Sequence, residues 1–104
     1  MIIGYAQEPT RNEEVLVSTS NKIVSEARNQ QNARKNITIR NTSANAADII
    51  TLNLGYDTAT SGAGIVLKQN ESFTDTSETG YSCYQGVISA ICDTANGKLA
   101  IYER

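Results

Sequence analysis

The sequence has no histidine and no tryptophan, one proline, one phenylalanine, and two cysteines in 104 residues. Without histidine it loses the commonest general base, the commonest metal ligand and the side chain that titrates near neutrality. That excludes Ser-His-Asp and Cys-His catalysis and every histidine-containing zinc site. Long apolar runs are also missing: Ile49-Ile50 and Ile65-Val66-Leu67 fall far short of the roughly 18 residues of a membrane-spanning helix. Residues 1–8 carry neither a basic nor an extended apolar stretch, so no signal peptide is expected and synthesis is placed in the cytoplasm. Nor does one sign of charge dominate. Nine basic against eleven acidic residues, net −2, give no field that predicts specific nucleic-acid or membrane binding.

Two cysteines do not make a disulfide scaffold. If residues 81–92 form one strand, Cys83 and Cys92 lie about 30 Å apart at roughly 3.3 Å per residue. A disulfide tolerates only about 7 Å between Cα atoms. Only a tight turn near Gln85-Gly86 brings the pair together, so two reduced thiols are expected, Cys92 as a small buried hydrophobe.

What the chain does contain is asparagine, serine and threonine, at 30 positions, with isoleucine and valine prominent among its apolar residues. Side chains branched at Cβ suit a pleated strand, and the periodicity agrees. Ile37 and Ile39 alternate with Asn36, Thr38 and Arg40, and Ile50, Leu52 and Leu54 alternate with Ile49, Thr51 and Asn53. Ile65/Leu67, Ile88/Ala90/Cys92 and Leu99/Ile101 continue the pattern. A period of two sustained over five segments predicts half-buried strands. Two earlier strands are expected around Val15–Thr19 and Lys22–Val24. Residues 22–35 form no apolar helical stripe and read as a strand followed by a surface loop with a helical turn. Turn-forming clusters fill the intervals, and Asn96-Gly97 predicts an antiparallel hairpin between a strand at 83–92 and one at 98–103.

The candidate chemistry is thin. Glu71, Asp75 and Glu78, with Asp57 and Asp93 elsewhere, lack the spacing that makes carboxylates converge on calcium or on a scissile bond, and they read as solvated turn residues. The hydroxyls of Thr74, Thr76, Ser77 and Thr79 have no base to activate them. Arg28, Arg34, Lys35 and Arg40 form a basic group without interleaved aromatics. Phosphate binding, a solvated loop and a salt-bridging contact to an acidic neighbouring subunit are all open for it. Tyr56, Tyr81, Tyr84 and Tyr102 flank loops, as amphipathic aromatics do at interfaces and at sandwich edges alike. The Asn-x-Ser/Thr triplets at Asn36, Asn41 and Asn70 read as coincidences of composition.

From about residue 14 to the C-terminus the chain resembles small all-β proteins encoded among bacteriophage structural genes. The resemblance rests on an ordered string. It opens with a Thr/Ser-rich strand closing on Ile23-Val24, then an Asn/Arg loop and the segment 34–43 (Arg-Lys-Asn-Ile-Thr-Ile-Arg-Asn-Thr-Ser). Residues 50–60, the Gly64-Ile-Val-Leu segment to Phe73, Gly86 to Ile91 and Leu99 to Glu103 follow. In those relatives the turn after the Gly-Ile-x-Leu strand reads Pro-Gly; here it is Gln69-Asn70, so the turn position is kept while its usual residues are not. The resemblance implies a virion component (capsid-associated, decoration, spike or fibre-base) without enzymatic activity.

Taken together these readings predict an all-β chain: an N-terminal arm over 1–13 and, over 14–104, a single antiparallel β-sandwich, jelly-roll or Ig-like, of about seven to eight strands. The expected function is non-enzymatic and adhesive, with no cofactor and no metal, in a homo-oligomer bound to other virion or capsid proteins. Contact surfaces are expected at Ile2, Ile3 and Tyr5 of the arm, at the loop 55–63 with Tyr56, and at Tyr81 and Tyr84. The alternative is a receptor- or carbohydrate-binding β-sandwich module.

Overall fold

The computed structural model describes residues 11–55 and 58–104, Gln31 through its backbone alone. Eight strands follow one another: β1 (Arg11–Val17), β2 (Lys22–Ser25), β3 (Asn36–Asn41), β4 (Ile50–Leu54), β5 (Ile65–Leu67), β6 (Ser72–Thr76), β7 (Ile88–Cys92) and β8 (Gly97–Glu103). A single 3₁₀ turn, Gln30–Asn32, supplies the helical turn expected in the Lys22–Lys35 stretch, and there is no α-helix among the described residues.

The strands form two four-stranded antiparallel sheets, β1-β8-β3-β6 and β2-β7-β4-β5. Their pairings nest: β1 with β8, β2 with β7, β3 with β6, β4 with β5. The chain is thus one long double ribbon rolled over on itself, which is the jelly-roll form of the sandwich. Inward-facing residues are those the alternation singles out. Ile37, Ile39, Ile50, Leu52, Ile88, Ala90 and Leu99 are completely buried, with Val17, Cys92 and Ile101 nearly so. Each buried isoleucine or leucine contributes about 1.5–3 kcal/mol.

Several expectations need correction. Asn96-Gly97 closes no hairpin, because β7 and β8 belong to opposite sheets and the segment between them crosses the sandwich. Neither residue adopts a positive φ. Gly97 is needed for closeness instead: a Cβ there would sit 2.7 Å from Cys92 Sγ and 2.8 Å from the Val17 carbonyl oxygen. The strand expected at 83–92 starts only at Ile88, so the extended 81–92 segment does not exist, yet both cysteines are free and buried. Arg11–Glu13, assigned to the arm, pair with Ile101–Glu103 as the first half of β1, which ends at Val17 rather than Thr19.

The turn before β6 follows the expected position. Glu71 N donates to Lys68 O at 3.0 Å, and Asn70 takes φ 68°, the only positive value outside glycine among the described residues. Asparagine tolerates that left-handed conformation.

Candidate interaction surface

The inward phase of β8 runs Leu99, Ile101, Glu103, and the third member is a carboxylate almost wholly buried at one end of the sandwich. A lone buried charge is costly, so partners converge on it. Glu103 Oε2 accepts from Arg34 Nε at 2.6 Å and from Ser25 Oγ at 2.6 Å, and Oε1 accepts from Arg11 Nη1 at 3.0 Å. Arg28 Nη2 stands 3.4 Å from Oε1. Burial alone would raise this carboxyl; the hydroxyl of Ser25 and the guanidinium groups of Arg34 and Arg11 override it and hold the pKa at about 2, below the usual 4.5.

Arg34 is itself buried, and all its guanidinium N–H groups are used. Besides Glu103 it donates to Ser25 Oγ, Glu26 O, Tyr84 O and Gly86 O at 2.7–3.0 Å. Its backbone clasps Gln85: Arg34 N donates to Gln85 Oε1 at 2.6 Å, and Gln85 Nε2 returns a bond to Arg34 O at 2.8 Å. The basic group therefore divides. Arg34 is a core clamp and Arg28 turns toward Glu103, so these two are neither a solvated loop nor free for a neighbouring subunit. Arg40 remains exposed on β3. Sequence reasoning missed Glu103, although its place two residues beyond Ile101 is the signal that would have found it.

Tyr81 and Tyr84 are brought together around Asp75 of β6 and take different roles. The Tyr81 hydroxyl donates to Asp75 Oδ1 at 2.7 Å and its ring stays 52% exposed; that bond, with the nearby carboxylate charge, raises its pKa. Tyr84 is an internal brace. Its ring packs beneath Arg34, 5.9 Å from guanidinium carbon to ring centroid, and its hydroxyl donates to Val87 O at 2.9 Å. Burial pushes the Cys83 thiol up, away from thiolate reactivity. Ile2, Ile3, Tyr5 and Tyr56 lie outside the described residues.

Several remaining candidates are spent on structure, while Asp57 lies outside the described residues. Of the carboxylates, Asp75 serves Tyr81 and Tyr84 N, Glu71 accepts from Lys68 N, and Asp93 accepts from Ser61 Oγ. Among the described residues no three metal-ligating side chains cluster. Thr38 and Thr74 share a hydrogen bond, Asn36 donates to Thr76 Oγ1, and Ser77 Oγ accepts from Cys83 N. Asn41 is buried with its amide on Asp48 O and Leu67 O. Thr51, read as an outward polar residue, is covered by the β4–β5 loop: its Oγ1 accepts from Gly62 N at 3.0 Å and its exposure is 1%.

That covering leaves the outer face of β1-β8-β3-β6 as the more open sheet surface. Asn12, Tyr102, Thr38 and Thr74 form one cross-strand row, and Glu14, Ala100, Arg40 and Ser72 form the next. Over Ala100 the surface sinks into a hollow of about 400 Å³ walled by Asn12, Glu14, Thr38, Arg40 and Tyr102. The next row of this same face sets Leu16, 61% exposed, opposite Lys98, while Ile23 and Val66, each 39% exposed, lie on the other sheet. Comparison with protein-family models, with curated protein sequences and with solved structures returned no match.

Proposed function

We propose that this protein is a non-enzymatic structural component of a bacteriophage particle (a decoration, vertex, spike or fibre-base protein) that acts by binding copies of itself and the capsid protein. The observation that carries the reading is the nested order of the eight strands. The jelly roll is an architecture of viral capsid subunits, and the phage-like string of residues lies along it. Lectins and cupins share the architecture, so this is fold-level support. The second support is that Arg34, Glu103 and Ser25 close the end of the sandwich through their own hydrogen bonds.

Adhesion here is the sum of modest contacts repeated over many copies, arranged in the closed symmetry usual for identical subunits. Tyr81 and the exposed Leu16, Ile23 and Val66 are the described residues offered as contacts; Ile2, Ile3, Tyr5 and Tyr56 are offered from the sequence. Tyr84 is withdrawn, because it braces Arg34.

The test is mass spectrometry of particles purified from cells that express the gene with its neighbouring genes, together with light scattering of the isolated chain. A closed oligomer and peptides co-purifying with capsid protein are expected. The arm is probed by deleting residues 1–10, which keeps Arg11 and its bond to Glu103. A monomeric chain absent from particles overturns the proposal.

A further inference from the structure

We propose that the hollow over Ala100, on the outer face of β1-β8-β3-β6, is a binding site for a pyranose unit of a glycan. The argument starts from what stands on either side of the alanine. Glu14 and Arg40 occupy the same cross-strand row, with Ala100 between them. Strands about 4.8 Å apart place their Cα atoms roughly 10 Å from each other, within the joint reach of the two side chains. Yet they make no ion pair with each other, and a hollow of about 400 Å³ lies where they would meet. That volume falls in the range of about 300–1,000 Å³ typical of small-molecule sites.

The lining decides the ligand class. Glu13 is paired with Arg11, and Glu14 and Arg40 cancel, so the lining carries no net positive charge to hold phosphate, sulfate or nucleic acid. A purely apolar ligand would strip water from a carboxylate and a guanidinium without replacing their hydrogen bonds. A neutral polyhydroxylated ring meets both demands. Its hydroxyls donate to Glu14 and accept from Arg40 and Asn12, while its C–H face lies on the Tyr102 ring and the Ala100 methyl. Ala100 is the residue that makes room: a larger side chain on the middle strand would fill the space. This site goes beyond the structural role and does not depend on it.

The experiment is a printed glycan array probed with the full chain. Saturation-transfer NMR with free glucose, galactose, mannose and N-acetylglucosamine follows, with folding of each variant checked by circular dichroism. Saccharide binding is expected, and Ala100→Leu and Tyr102→Ala should each weaken it about tenfold or more, the loss of roughly one good contact. Lys68→Ala, at an exposed position just past β5 on the other sheet, should leave binding intact. The proposal is overturned by silence on the array and in NMR, or by binding that Ala100→Leu leaves unchanged. Binding that Lys68→Ala abolishes moves the site to the other sheet and overturns it too. A dimer that Glu14→Lys breaks and Glu14→Lys/Arg40→Glu restores, without saccharide binding, assigns the face to a second copy instead.

Discussion

At the scale of single residues, the sandwich depends on one carboxylate. Glu103 carries Arg34, Ser25 and Arg11 on its two oxygens, and removing one partner of a buried pair leaves the other charge unpaired. Arg34→Met should therefore destabilise the fold by about 3–5 kcal/mol, whereas Arg34→Met combined with Glu103→Leu should recover much of that loss; urea denaturation of the two variants checks it. The acid response has a definite sign. The folded carboxyl titrates at about 2 against a usual 4.5, so its stabilisation is complete above the unfolded value and is lost as the pH falls through the folded one. Thermal midpoints should hold steady above about pH 5 and fall toward pH 2, and Glu103→Gln, less stable at neutrality, should show a flatter acid limb. A parallel acid limb in the variant would show that other carboxylates dominate.

At the scale of elements, two turns carry the topology for different reasons. Gly97 admits no Cβ because Cys92 Sγ and the Val17 carbonyl press on it. Gly97→Ala should cost about 1–3 kcal/mol, the usual penalty of overpacking, and Cys92→Ala should relieve only the part due to sulfur. Asn70 meets a left-handed turn with a side chain that tolerates it. Asn70→Gly should leave the melting temperature nearly unchanged, while Asn70→Val should cost about 1–2 kcal/mol. The strand interiors were legible beforehand because a pleat turns alternation directly into inside and outside. The β7–β8 connection was misread because Asn-Gly signals a turn without saying whether the two flanking strands share a sheet. β1 was read late because its first half, Arg11–Glu14, is polar on both faces.

At the scale of the whole molecule, burial of both cysteines in one rigid sandwich predicts slow chemistry. With a thiol reagent at neutral pH, Cys83 and Cys92 should label far more slowly in the native chain than in denaturant, where both should react. Rapid native labelling of either would mean that its end of the sandwich opens readily. Fold class, the inward set Ile37, Ile39, Ile50, Leu52, Ile88, Ala90, Leu99 and Ile101, and the turn at Asn70 were determined by the order of residues alone. Each is a local consequence of side-chain alternation or backbone preference. The tertiary structure alone decided which strands pair, that Arg34 is a buried clamp while Arg40 stays in solvent, and that Thr51 is covered while Ala100 floors a hollow. These outcomes depend on which distant segments arrive together, and no local pattern encodes a neighbour that lies sixty residues away in the chain.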